Sequence, residues 1–107
     1  MMLVLTTFGS AEKAAEVAGM LVDEELAACV NVIGGAHSVY RWQGKVEEQA
    51  EVLCLIKTTA EAFERLRARL VELHPYELPE VIGVPIGAGH APYLEWLSAS
   101  VRPASRP

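Results

Sequence analysis

The alternation of apolar and polar positions changes period several times along the chain, and each change marks an element. Met2 to Phe8 is a short β-rich run. Ser10 then offers a helix N-cap with Glu12 in the first turn. Ala14, Val17, Ala18, Leu21 and Val22 recur at helical spacing and predict a helix from about Ala11 to Glu24. Leu26 to Thr58 reads as one very long β-hairpin that turns at Gln43-Gly44. Each arm is about 14 residues, so the ribbon runs to roughly 45 Å at ~3.3 Å per residue. A domain of 107 residues cannot cover such a ribbon with its own sheet. The overhang leaves backbone groups and apolar side chains in need of a partner, which predicts an oligomer.

The two halves of the ribbon differ. From Lys45 to Glu51 the residues alternate, with Val46, Ala50 and Val52 on one side and Lys45, Glu47 and Glu51 on the other. From Val52 to Ile56 every residue is apolar, as is most of Cys29 to Ile33, so both faces there should be covered. Helices cover one face; another subunit is the natural cover for the other. Gly34-Gly35 predicts a bulge or bend where the ribbon leaves the sheet.

Thr58 followed by Glu61 is a capping-box pattern that predicts a second helix. Phe63, Leu66, Leu70 and Leu73 form its apolar stripe and Pro75 ends it. Val81 to Ile86 predicts a fourth strand, with Pro85 favouring a sheet edge or a strand end. A short last helix begins at Pro92 and carries Tyr93, Trp96 and Leu97. The order β-α-β-β-α-β plus a C-terminal helix predicts an α+β, ferredoxin-like split β-α-β fold with a long central hairpin. Residues 1–102 form one domain in this reading, followed by a flexible C-terminal tail over 103–107, with Arg102 at the boundary.

Composition narrows the function. The net charge of −5 argues against nucleic acid, whose partners carry a basic face. No apolar run approaches the ~20 residues of a membrane span, and the start MMLVLTT lacks the features of a signal peptide. A cytoplasmic location is the expectation. One Asn, two Gln and more Arg than Lys lean towards heat tolerance. With the turn at Gln43-Gly44, Cys29 should lie opposite Thr58 and Cys54 opposite Ile33. The thiols then sit about 13 Å apart, beyond disulfide reach.

No GxSxG, HExxH, P-loop or CxxC signature is present, which points away from an enzyme. Polar chemistry concentrates in HPYELPE, His74 to Glu80, where Pro75 and Pro79 stiffen a loop able to present His74, Tyr76 and Glu77. The same segment also reads as a plain connector, with Tyr76 packed and His74 bonded to backbone. Lys57 and Thr58 end a buried strand beside a helix start, a place suited to anions; equally, Thr58 is a cap and Lys57 an end residue. Tyr40, Arg41 and Trp42 beside the turn suit docking onto a neighbouring subunit. Cys29, Cys54, His37, His74 and His90 lack short ligand spacing, so a structural zinc site is not expected. His74 with Glu77, completed across a subunit interface, is the metal site the pattern permits.

Taken together, LAACVNVIGGAHSVYRWQGKVEEQAEVLCLIKT, HPYELPEVIGVPI and YLEWL resemble the CutA divalent-cation-tolerance family, from Val4 to Trp96. The resemblance implies ferredoxin-like subunits in a tight trimer, a link to copper and other divalent metals, and a likeness to nitrogen-regulatory trimers. It carries over Cys29, Trp42, Lys57, Thr58, His74, Pro75, Tyr76, Glu77 and Pro79. In some bacterial members assigned a copper site, a cysteine stands at the position of Thr6 and a second histidine at that of Leu73, so only His74 of that set remains. The expectation is a homotrimeric, non-catalytic protein of copper tolerance that binds divalent metal weakly through His74, Glu77 and Cys29. The alternative is a sensor of a small anionic ligand, with Lys57, His74, Tyr76 and Glu77 lining clefts between subunits and Trp42, Lys57, Thr58 and Tyr76 as the candidate interface pocket.

Overall fold

The computed structural model describes residues 1–104. The elements are β1 (Met2–Phe8), α1 (Ala11–Asp23), β2 (Cys29–Trp42), β3 (Lys45–Thr58), α2 (Phe63–Leu73), β4 (Ile82–Pro85) and α3 (Ala91–Ala99). The four strands form one antiparallel sheet in the order β2-β3-β1-β4. This is the ferredoxin-like α+β arrangement the sequence predicts.

One sheet face is closed by helices. Val4 and Phe8 of β1 and Val52, Cys54 and Ile56 of β3 pack there against Ala14, Val17 and Leu21 of α1 and Leu66 and Leu70 of α2. The Ser10 hydroxyl caps α1 by accepting from the Lys13 N–H at 3.1 Å. β4 lies at the sheet edge, where Pro85 lacks no ladder bond that matters. It passes so close to α2 that a Cβ at Gly83 would come within 2.7 Å of the Phe63 ring. Leu97 and Val101 form a satellite cluster with Ala62.

The hairpin turns at Gln43-Gly44, both with positive φ (49° and 80°), the backbone of a type I′ turn. The molecule is 45 Å in its longest dimension. Gly34 and Gly35, the latter at φ 87°, stand between the pairs Ile33–Leu53 and Ala36–Glu51 and so oppose Val52 alone. This bulge corrects the register. Cys29 faces Lys57, not Thr58, and Cys54 faces Val32, not Ile33. Both thiols are free.

The capping box is also corrected. Thr58 remains in β3, fully buried, and its hydroxyl donates to the Leu26 carbonyl at 2.7 Å. Thr59 accepts from the Ala62 N–H instead, in a turn that delays α2 until Phe63. Arg102, placed at the edge of the tail, is tied down. Its N–H donates to Glu25 O at 2.8 Å, and its carbonyl accepts from Arg65. Residues 105–107 of the expected tail lie outside the described residues.

Candidate functional site

The HPYELPE segment wraps around the sheet edge just beyond α2. Pro75 cannot continue the helix, and His74 takes extended backbone angles (φ −75°, ψ 134°). The His74 ring stacks on Phe8 with centroids 4.3 Å apart. Its Nε2 bonds the Thr7 carbonyl at 2.8 Å, and its Nδ1 accepts from the Tyr76 N–H at 3.1 Å. Those partners assign the neutral Nε2–H tautomer and engage both ring nitrogens. Burial pushes the imidazole below its ordinary pKa, against the opposing pull of the Thr7 carbonyl and Glu51.

Beyond His74 the chain reaches the sheet face that no helix covers. The Tyr76 hydroxyl donates to Glu51 Oε2 at 2.7 Å and accepts from Gln49 Nε2 at 3.1 Å. The Tyr40 hydroxyl donates to Gln49 Oε1 at 2.9 Å, which completes a chain of four polar side chains. Burial pushes the Tyr76 phenol up to about 12, with the Glu51 carboxylate adding to it, so Tyr76 serves as a fixed donor. Burial alone would also raise Glu51. Hydroxyl donors from Ser38, Tyr76 and Thr7 outweigh it and hold the carboxyl below its usual range.

These groups stand along a cleft of about 600 Å³ between the ribbon and the HPYELPE loop. Tyr40, Trp42, Glu51, Tyr76, Glu77 and Glu80 line it. The structure therefore brings together Trp42, Tyr76 and Glu77, with His74 at the root of their loop. It does not bring in Cys29, Lys57 or Thr58. Cys29 and Lys57 pair across from Leu3, whereas the His74 partner Thr7 pairs with Leu53. That is four strand positions, about 13 Å along the sheet. Lys57 instead donates to the Tyr93 hydroxyl at 3.4 Å and lies 5.7 Å from the ring centroid.

Sequence reasoning missed Glu51, Gln49 and Glu80. Glu51 looks like one more solvated charge in an alternating stretch, yet it is only 9% exposed. Its one signal is its place directly before the apolar run at Val52. Thr6, where some relatives carry cysteine, is buried opposite Cys54, and its hydroxyl has no partner. Among the described residues, no three His, Cys, Asp or Glu side chains converge closely enough to hold a metal ion.

Residues 2–100 match the family described as CutA1 divalent ion tolerance protein. A divalent-cation tolerance protein CutA of Thermus thermophilus is 50% identical over 95 residues, which span 89% of this chain and 92% of that one. A rice protein described as CutA 1, chloroplastic, is 43% identical over 100 residues, 94% of this chain and 56% of that longer protein. The solved structure of a PII-like protein CutA from Nostoc superposes with a TM-score of 0.89 at 36% identity, covering 95% of this chain and 98% of that one.

Proposed function

The chain belongs to the CutA1 divalent ion tolerance family, and from that premise we propose that it is a homotrimeric, non-catalytic cytoplasmic protein of copper tolerance with weak affinity for divalent metal. The observation that carries this reading is the sheet face left without helices. Ile33, Ile82 and Val84 are 44%, 51% and 43% exposed there, beside half-buried Leu3, Leu5, Leu53 and Leu55. Copies of the chain are the cover this apolar face fits, since it continues onto a ribbon that overhangs its own domain. No helix is long and apolar enough to cross a membrane among the described residues.

Weak metal affinity agrees with the donors. His74 must give up a hydrogen bond to expose a lone pair, and Cys29 stands at the other end of the sheet. Native mass spectrometry with stoichiometric copper(II) tests this. A trimer with a defined number of ions, reduced by His74→Ala, supports the reading. A nonspecific ladder of adducts removes the metal site.

A second reading, a small-ligand sensor of the nitrogen-regulatory kind, is favoured by the likeness to the PII-like protein of Nostoc. An anionic ligand would belong near Lys57 rather than in the carboxylate-lined cleft. Loss of a ligand-induced thermal shift on Lys57→Ala supports it, and no shift with a broad panel of anionic metabolites sinks it.

A further inference from the structure

Helix α3 is held in the fold differently from α1 and α2. The main core draws on β1, β3, α1 and α2, and no residue of α3 enters it among the described residues. Leu97 is the one buried residue of α3. It packs in the satellite cluster with Ala62 and Val101, over half-buried Met1 and Ala28. A helix of 9 residues is too short to persist by itself. Its N-cap, His90, makes no side-chain bond to the first turn, and that turn carries no acidic residue to meet the helix dipole. The attachment of α3 therefore depends on what stands at its two ends.

Behind the helix stands a latch. Val101 is buried in the satellite cluster. The next residue, Arg102, donates its N–H to the Glu25 carbonyl at 2.8 Å, and its own carbonyl accepts from Arg65 Nη2 at 2.9 Å. The α1–β2 turn and α2 thus grip one residue from two sides. Before the helix stands a hinge. The Ile86 N–H donates to the Met1 carbonyl at 2.9 Å, and residues 87–90 then form no regular element. Gly87 lies in open space, with nothing within 4 Å of the position a Cβ would take, so packing does not fix its backbone. Between latch and hinge, the Tyr93 hydroxyl accepts from Lys57 Nζ at 3.4 Å, and the ammonium lies 5.7 Å from the ring centroid. That contact is exposed and engages a long side chain, so it restrains the helix only weakly.

We propose that α3 is a hinged lid over the Lys57 end of the sheet, which swings on residues 87–89 once Val101 and Arg102 unlatch. Opening takes Tyr93 off the Lys57 ammonium and uncovers Ala28 and Ala62. The motion itself needs no ligand. Its use as a gate for an anion at Lys57 rests on the sensor reading, and the two can fail separately.

Hydrogen exchange of the intact chain in its native assembly, read by mass spectrometry without added ligand, tests the lid. Amides of residues 94–100 should exchange about tenfold or more faster than those of α1 and β3. Val101→Ala should speed exchange in α3 by about another tenfold and Arg65→Ala by less. Gly87→Ala, which stiffens the hinge, should slow it. Exchange in α1 and β3 should stay unchanged in all three variants. Acetylation of Lys57 should follow the same order of variants, and acetylation of exposed Lys45 should not. The proposal is overturned if α3 is protected as strongly as β3, which would mean that a second copy clamps it. It is also overturned if Val101→Ala speeds exchange throughout the chain, which would make α3 part of one cooperative unit. A lid that opens while no anionic metabolite shifts the melting midpoint would sink the sensor reading and leave the lid standing.

Discussion

The two faces of strand β3 meet different fates within a single run of seven residues. Val52, Cys54, Ile56 and Thr58 point under α1 and α2 and are 8%, 1%, 1% and 0% exposed. Leu53, Leu55 and Lys57, between them, point to the face that no helix covers and stay half-exposed. Both faces are apolar, but only one is finished inside the subunit. The covered face holds the fold together through packing. The open face holds an apolar field at its centre, Lys57 beside Tyr93 at one end, and Glu51 with Tyr76 at the other.

The sharpest way to break that contrast is a truncation on each side. Leu70→Ala empties a fully buried position under the covered face and should cost about 2–5 kcal/mol in chemical denaturation. Leu55→Asp on the open face should cost the isolated subunit about 1 kcal/mol or less yet abolish assembly. Sedimentation and circular dichroism separate the two outcomes. If Leu55→Asp unfolded the subunit while Leu70→Ala left it stable, the division of labour would be reversed.

Between the two faces stands His74, stacked on Phe8 on one side and bonded through Tyr76 to the other. Its folded pKa is lowered below 6.5, chiefly by burial. The unfolded chain therefore takes up the proton first. This contribution is complete above pH 6.5 and is lost as the pH falls through the folded value. Denaturation midpoints should drop more steeply from about pH 7 to about pH 5 in the native chain than in His74→Gln. Parallel curves would mean that the ring does not clamp the loop.

A smaller effect is expected on the helical surface. Arg69 joins Glu24 of the neighbouring helix end, at 2.8 and 2.9 Å, with Glu72. These groups are solvent-accessible, so Arg69→Ala should lower the melting midpoint only slightly, and less still in high salt. The composition predicts a midpoint above about 65 °C; an ordinary mesophilic value would contradict the heat tolerance read from the low Asn and Gln content.

The difference between the faces also explains what the chain reveals of itself. Local rules were enough for α1 with its Ser10 cap, for the turn at Gln43-Gly44 and for the edge strand at Pro85, because each is set by neighbours within a few residues. The fold order follows from them. The register across the bulge was not readable, since Gly34-Gly35 signals an irregularity without saying that both oppose Val52 alone. Thr58 carries a cap signature, but a carbonyl 32 residues earlier claims its hydroxyl. Glu51 was the largest omission. Its burial depends on Tyr76, 25 residues further on, and no periodicity reports a contact of that range.

The mass of the native protein at micromolar concentration is the most direct test of the claim that the open face is built for copies of the chain. Native mass spectrometry should give three times the 11.6 kDa of the chain, with monomer appearing only when the face is charged, as in Leu55→Asp. A native chain that remains monomeric at that concentration would contradict the account, and the open face would then need a different partner.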